Sequence, residues 1–274
     1  MKKEESRAMR NIKLTIEYDG TNYLGWQRQK RGPTIQETIE NALVKITTPH
    51  LISLRPCSGH ASPTRGEGSF EVKLIGSGRT DTGVHALGQV ANFKTSSGLS
   101  ACQLQKALNA ILPEDISIVK CEEADMRFHA QFDAKSKTYT YIILYRPYPS
   151  ALERRRAWHI PFTLHVPEMK EASKALIGEH DFSAFGLSTR TLRSTVREIL
   201  KLEIAFSEKD HLYFEIGATG FLRRMVRLVV GTLIQVGKDR ITVEGFRRIL
   251  ESGERTKFVR PAPPWGLYLK EVKY

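Results

Sequence analysis

GSGRTDTGVHALG, residues 76–88, packs four glycines, one Arg, one Asp and one His into thirteen positions, and the interpretation of the whole chain depends on it. Its glycines lack the G-x-G-x-x-G spacing of a dinucleotide-binding loop. A P-loop would need Lys and then Ser or Thr where the chain has Val84 and His85. Two interpretations stay open for Asp81: it bonds its own backbone in a tight turn, or it stands at a cleft wall that a bulky substrate approaches closely.

Outward from this stretch, the hydrophobic patterns predict strands and helices that mingle without a strict βαβ alternation. Predicted strands cover residues 12–18, 70–75, 89–94, 137–145, 197–206, 212–217 and 266–272, with two more between 112 and 136; predicted helices start at Thr34 and cover 100–111, 167–176, 221–236 and 242–251. Residues 47–69, rich in Pro, Gly, Ser and Thr, predict a surface loop. We therefore expect an α+β fold with two sheet-and-helix domains, residues 11–127 and 128–274, on either side of a cleft.

The charge balance makes a polyanion the leading candidate for a partner. The 274 residues include 42 Lys and Arg against 30 Asp and Glu, a net charge of +12, and 41% of them are hydrophobic, as in a folded globular protein. Residues 1–150 hold 20 basic and 15 acidic side chains, and residues 151–274 hold 22 and 15. Because the excess is not confined to one tail, both parts are expected to face the anion.

The cysteines and the apolar segments bear on the compartment. Cys57, Cys102 and Cys121 are widely spaced with no C-x-x-C pair, which predicts neither a disulfide framework nor a zinc site and fits a reducing cytosol. The first ten residues are charged and no apolar run follows them, so no secretion signal is expected. The most apolar stretch, residues 225–236, is too short and too polar to span a bilayer. We expect a cytoplasmic protein that uses no membrane and no metal.

Several motifs together resemble one family. GRTDTGVHA resembles the signature of the TruA family of tRNA pseudouridine synthases, and further segments that resemble the family follow its order. These segments are YDGTNYLGWQRQ, TIQETIENAL, ALNAILPEDI, FHAQFDAKSKTYTYII, GEHDFSAF, GFLRRMVRLVVGTLIQVG and APPWGLYL. Only the first ten residues and the loop at 47–69 lie outside the resemblance. Gln131 departs from the family, which usually has Arg there.

The resemblance implies a pseudouridine synthase fold, with two ferredoxin-like domains flanking a basic cleft, in a homodimer that needs no metal or cofactor. It implies the isomerisation of uridine to pseudouridine in the anticodon stem-loop of tRNA, at tRNA positions 38–40. By motif position, Asp81 is the nucleophile, Arg227 is the partner of its carboxylate, and Tyr139 stacks on the target base. Arg79 is expected near the extruded nucleotide, and Leu267 is expected to line the pocket.

The residues leave a structural alternative open for Arg227 and for Tyr139. Arg227 lies in an apolar helical run and can instead reach solvent beside Arg223. Tyr139 shares a strand face with Tyr141 and Tyr145, and such a face can pack into the core. A non-catalytic RNA-binding module would show the same aromatic strands and basic surface. The clusters expected to contact tRNA phosphates are Arg28-Lys30-Arg31, Arg154-Arg155-Arg156, Arg190-Arg193 and Arg223-Arg224.

Overall fold

The computed structural model describes residues 8–47, 72–187, 194–207 and 210–274. Within these ranges, ten strands join one mixed sheet, and five α-helices accompany it. The strands are β1 (Arg10–Tyr18), β2 (Ile75–Gly76), β3 (His85–Thr95), β4 (Ile116–Ala124), β5 (Ser136–Tyr145), β6 (Trp158–Ile160), β7 (Gly178–Asp181), β8 (Val196–Phe206), β9 (His211–Ala218) and β10 (Leu267–Lys273). The helices are α1 (Ile35–Thr47), α2 (Ala101–Ile111), α3 (Val166–Lys174), α4 (Met225–Gly237) and α5 (Val243–Ser252). The predicted α+β class is confirmed.

The last strand lies in the middle of the sheet. The strand order is β4-β1-β3-β10-β5-β9-β8-β7, with β2 paired to β3 and β6 paired to β5. Strand β10 runs antiparallel to β5 along most of its length. It meets β3 in parallel at only two residue pairs, Tyr268 with His85 and Leu269 with Ala86. Strand β10 therefore joins a half built from β1 to β4 to a half built from β5 to β9.

Local sequence accounts for most of these elements. In β5, Tyr139, Tyr141 and Ile143 are buried on one face, as the alternation predicts. Helix α2 begins after Ser100, whose hydroxyl and backbone exchange hydrogen bonds with Gln103 in a capping box. Thr34 likewise accepts the N–H of Glu37 at the start of α1 (3.3 Å). The Glu37 carboxylate lies 3.6 Å from Arg28.

The strand predicted over residues 70–75 is wrong in extent. Residues 70 and 71 lie outside the described residues, residues 72–74 are not in a strand, and β2 consists of Ile75 and Gly76 alone. The reason is that side chains of α1 bond the backbone of Leu74. Glu40 accepts its N–H (3.1 Å), and Gln36 donates to its carbonyl (3.0 Å). A backbone bonded to side chains in this way does not need a neighbouring strand.

The strand predicted over residues 89–94 begins earlier, at His85. Gly88 is the last glycine of the glycine-rich stretch, and it lies within β3. A side chain there would bring a Cβ atom to 2.6 Å from the Lys270 carbonyl oxygen of β10. The glycine is therefore a point of close approach between two strands.

The helix predicted over residues 221–236 begins later, at Met225. Arg224 has φ 62°, in the left-handed region, and Arg223 forms an isolated antiparallel bridge with Leu187. Of the two strands predicted between 112 and 136, only β4 is present. Residues 125–135 form turns instead, and their carbonyls at Asp125 and Phe128 accept the side-chain amide of Asn11.

The remaining predictions about organisation concern membrane helices, the surface loop and the domain boundary. In the described part of the chain, no helix is long and apolar enough to cross a membrane. The predicted loop at 47–69 lies outside the described residues except for Thr47, which ends α1. The boundary between residues 127 and 128 stays a prediction.

Candidate active site

A cleft of about 1040 Å³ opens beside β5 and the N-terminal end of α4. Its walls come from both parts of the chain, including the loop after β2, the start of β10 and residues 221–227. The structure places all five residues selected from the sequence on these walls, namely Arg79, Asp81, Tyr139, Arg227 and Leu267.

Asp81 opens a tight turn at the cleft. The N–H of Val84 donates to the Asp81 carbonyl (3.1 Å), and Gly83 occupies the turn with φ +74°, a conformation that favours glycine. The Asp81 carboxylate accepts a hydrogen bond from Arg227 and makes none with the described backbone of this turn. The turn therefore presents the carboxylate to the cleft, where its side chain is 21% exposed.

The residue before Asp81 is fixed by the end of β1 and by the segment that follows it. Thr80 shares a hydroxyl–hydroxyl hydrogen bond with Tyr18 (2.8 Å), and its carbonyl accepts the N–H of Trp26 (3.2 Å). Gly25 makes this packing possible, since a Cβ atom there would lie 2.4 Å from the Thr80 carbonyl oxygen. The backbone that carries Asp81 is thus held from one side by buried groups.

Arg227 is the closest cation to the Asp81 carboxylate, with Nη1 3.2 Å from Oδ2. Its side chain is 11% exposed, so it does not reach solvent as a surface arginine would. Its Nε donates to the carbonyl of Ala262 (2.7 Å), and the Ala262 N–H donates back to the Arg227 carbonyl (2.8 Å). Burial lowers the pKa of the Arg227 guanidinium, and the negative charge of Asp81 opposes that shift.

A glycine one turn along α4 allows this arrangement. A Cβ atom at Gly231 would lie 2.0 Å from the carbonyl oxygen of Arg260. The segment that includes Ala262 can therefore cross α4 in direct contact with its backbone. That crossing brings the Ala262 carbonyl to the guanidinium of Arg227 and fixes its direction.

Tyr139 forms another part of the wall. It is 8% exposed, and its ring meets that of Phe221 edge to face, with centroids 5.0 Å apart and planes at 84°. Burial raises the pKa of the Tyr139 phenol, and the nearby Asp81 charge raises it further. Tyr141, by contrast, is fully buried and donates its hydroxyl to the Pro263 carbonyl (2.8 Å), so it is the core tyrosine of this strand.

The other two residues selected from the sequence, Arg79 and Leu267, differ in their exposure. Arg79 is exposed and makes no hydrogen bond or ion pair with any described residue, so its guanidinium is available at the cleft. Leu267 is buried at the start of β10, opposite Tyr141. Gln131 also lines the cleft, at the position where a cation was missing from the expected pattern.

Sequence reasoning missed two cations at this site. Arg223, assigned only to a phosphate-binding cluster, has its Nε 4.0 Å from the other Asp81 oxygen, with a side chain that is 62% exposed. Lys137 lines the cleft from the same strand as Tyr139. The only available signal for Lys137 was its spacing of two residues from Tyr139, which places both on one strand face.

His85 belongs to the glycine-rich stretch but does not line the cleft. Its Nδ1 accepts the N–H of Gly20 (3.0 Å), and its Nε2 lies near the carbonyls of Arg155 (3.0 Å) and Trp265 (3.1 Å). Burial lowers the pKa of the imidazole, which favours the neutral ring. His85 therefore connects three separate segments and is a structural residue here.

The described residues include only part of the expected phosphate-binding clusters. Arg154 and Arg155 are exposed, and the Arg28 guanidinium lies within 3.6 Å of the carboxylates of Glu37 and Glu40. Arg190 and Arg193 lie outside the described residues. In the described ranges, no three His, Cys, Asp or Glu side chains are grouped as metal ligands.

A sequence model of the tRNA pseudouridine synthase family matches residues 14–133 and 172–274. The chain belongs to this family. A tRNA pseudouridine synthase A from Thermoanaerobacter sp. (strain X514) is 46% identical over 266 residues, which cover 97% of this chain and 100% of the relative. Relatives from Acetivibrio thermocellus (45%) and Clostridium perfringens (43%) have the same coverage and are called tRNA pseudouridine synthase A and tRNA pseudouridine synthase A 2.

Membership of the tRNA pseudouridine synthase family confirms the activity implied by the sequence motifs. The protein is an isomerase that converts uridine to pseudouridine in tRNA. The alternative of a non-catalytic RNA-binding module is thereby set aside.

Proposed function

We propose that this pseudouridine synthase acts on uridines in the anticodon stem-loop of tRNA and that Asp81 is its nucleophile. The observation that carries the proposal is the Asp81–Arg227 pair, 3.2 Å apart on the wall of a cleft that also contains Tyr139. The specificity for the anticodon stem-loop is supported by the family resemblance of the motifs. The role of Asp81 is supported in addition by its geometry.

The reaction moves a base between two positions on one sugar. The bond from ribose C1′ to N1 of uracil breaks, the base turns, and a bond forms from C1′ to C5; C5 loses a proton and N1 gains one. A carboxylate can divide this exchange into easier steps by forming a covalent bond, either to C1′ of the sugar or to C6 of the ring. Both routes use the carboxylate form of Asp81, which forms an ion pair with the guanidinium of Arg227 at 3.2 Å on the wall of the cleft.

A uridine must leave the base stack to reach Asp81, which costs about a few kcal/mol. Stacking on an aromatic ring returns roughly 1–3 kcal/mol per base, and Tyr139 is the tyrosine on the cleft wall. Because its pKa is raised, we assign its phenol the neutral form, which donates a hydrogen bond and is a weak base. The guanidinium of Arg79, which bonds no other described residue, is suited to a phosphate beside the extruded nucleotide.

Several wider features belong to the same proposal. We propose that residues 11–127 and 128–274 are two domains joined at β10, and that the enzyme is a homodimer, which the resemblance supports. We place it in the cytoplasm, where Cys102 and Cys121, both free thiols, would stay reduced. The exposed basic clusters would bind tRNA phosphates, so affinity for tRNA should fall steeply with salt concentration.

The test uses tRNA that carries tritium at C5 of uridine, because forming the new bond releases that tritium to water. The wild-type protein should release it from the anticodon arm, and Asp81→Asn should bind tRNA with similar affinity and release none. Asp239→Asn is the control, since Asp239 pairs with His165 and does not line the cleft. An Asp81→Asn protein as active as the wild type would exclude Asp81 as the nucleophile. Pseudouridine mapping in cells that lack the protein tests the choice of stem-loop.

A further inference from the structure

Lys137 lines the cleft but has no role in the mechanism proposed above. It lies on β5, two residues before Tyr139, so both side chains leave the same face of the strand. Its side chain lines the cleft together with Asp81 and Tyr139. A base that stacks on Tyr139 beside Asp81 therefore lies within the neighbourhood of the Lys137 ammonium.

The ammonium is half-buried, and its only bond to the described residues is with the Ser77 carbonyl, 2.6 Å away. It also lies against Gly78, where a Cβ atom would come within 3.1 Å of Nζ. No carboxylate among the described residues forms an ion pair with it, and burial lowers its pKa. An ammonium has three N–H donors, so two remain for a ligand.

A partly buried cation without an acidic partner costs free energy unless something else supplies negative charge. Asp81 does not supply it, since its carboxylate is directed at Arg227. The substrate does supply negative charge during the reaction. If Asp81 attacks C1′, the electron pair of the broken C1′–N1 bond passes to uracil and spreads over O2 and O4. If Asp81 attacks C6, the electrons of the C5–C6 double bond move toward O4. Both routes place negative charge on a uracil carbonyl oxygen.

We propose that the Lys137 ammonium donates a hydrogen bond to a carbonyl oxygen of the extruded uracil and stabilises the negative charge that develops there. This role rests on the proposed function of Asp81 and is independent of which atom Asp81 attacks. A donor that is already fixed in place, here by its bond to Ser77, stabilises such charge without reorganising at the moment of reaction.

The first experiment measures single-turnover tritium release and the tRNA dissociation constant for four variants. Lys137→Met removes the charge, Lys137→Gln keeps a donor that can bond Ser77, and Lys137→Arg keeps the charge. Lys135→Met is the control, because Lys135 is exposed and does not line the cleft. We expect the Met and Gln variants to react roughly 10-fold to 100-fold more slowly with a dissociation constant changed less than about threefold. We expect Lys137→Arg to recover most of the rate, and Lys135→Met to match the wild type.

The second experiment replaces the target uridine with 2-thiouridine or 4-thiouridine, since sulfur is a weak hydrogen-bond acceptor. At the oxygen that Lys137 contacts, the replacement should slow the wild type more than it slows Lys137→Gln, because the two changes remove the same bond. A role in holding the loop would not produce this dependence.

Four results would overturn the proposal: a wild-type rate for Lys137→Met, recovery by Lys137→Gln, a loss confined to tRNA binding as a phosphate contact would give, or equal sulfur effects in wild type and Lys137→Gln. Should Lys137→Met fail to fold, the Gln variant and the sulfur comparison still decide. Failure of the wild type to release tritium from the anticodon arm, or full activity of Asp81→Asn, would instead refute the proposed function.

Discussion

Replacing Arg227 with Met should slow catalysis far more than replacing Arg223 with Met, although both arginines face the same carboxylate. At 3.2 Å, and with an effective dielectric constant of about 20, the Arg227–Asp81 attraction is about 5 kcal/mol before desolvation. The net value of a hydrogen bond to a charged group is about 1.5–3 kcal/mol. If the transition state depends on that bond, the single-turnover rate should fall about 10-fold to 150-fold.

Arg223 provides the matched comparison. Its Nε is 4.0 Å from Asp81, and its side chain is 62% exposed. In a dielectric close to that of water the attraction is only about 1 kcal/mol, and exposed ion pairs contribute about 0–1 kcal/mol net. We expect Arg223→Met to lower the rate less than about fivefold.

The assay is tritium release from tRNA labelled at C5, with enzyme in excess and tRNA binding measured separately. Thermal unfolding of each variant is needed as well, because Arg227→Met leaves the Ala262 carbonyl without its side-chain donor. That loss should lower the free energy of unfolding by about 1–3 kcal/mol. If folded Arg227→Met keeps the wild-type rate, or if Arg223→Met is the slower variant, the assignment of Arg227 as the partner of Asp81 is wrong.

Three further predictions concern the walls of the cleft. Tyr139→Phe should keep most of the single-turnover rate, and Tyr139→Leu should be slower by roughly 5-fold to 150-fold, since stacking is worth about 1–3 kcal/mol. Equal single-turnover rates for the Phe and Leu variants would contradict the stacking role. Gly231→Ala should lower the unfolding temperature, because its Cβ atom would lie 2.0 Å from a backbone carbonyl oxygen and overpacking costs about 1–3 kcal/mol. His85 has a pKa lowered by burial, so the unfolded chain binds its proton first. The contribution of His85 to the free energy of unfolding should therefore be fully present above about pH 6.5, where unperturbed histidine titrates, and should fall as the solution is made more acidic. Denaturant unfolding at several pH values should show a smaller fall for His85→Asn than for the wild type.

The sequence predicted the residues whose chemistry is local. The turn glycines mark Asp81 as a candidate, and the alternation places Tyr139 on one strand face with Tyr141 and Tyr145, but the family resemblance assigned the role of each. The class of fold also follows, because apolar spacing reports strands and helices one at a time. The same resemblance assigned Arg79, Arg227 and Leu267.

Other features depend on groups distant in sequence, and local patterns do not report them. Strand β2 is short because Gln36 and Glu40 bond the backbone of Leu74. Strand β3 includes Gly88 because β10 approaches there. Arg223 reaches Asp81 from a left-handed turn at Arg224 and not from the helix that the apolar pattern extended too far.

The central position of β10 has a consequence for biosynthesis. Strands β3 and β5 are translated long before residues 267–273, yet the sheet order leaves a gap between them that only these residues fill. A nascent chain that stops short of β10 also lacks Leu267 in the wall of the cleft. The sheet and the wall of the cleft can therefore be completed only after residues 267–273 have left the ribosome.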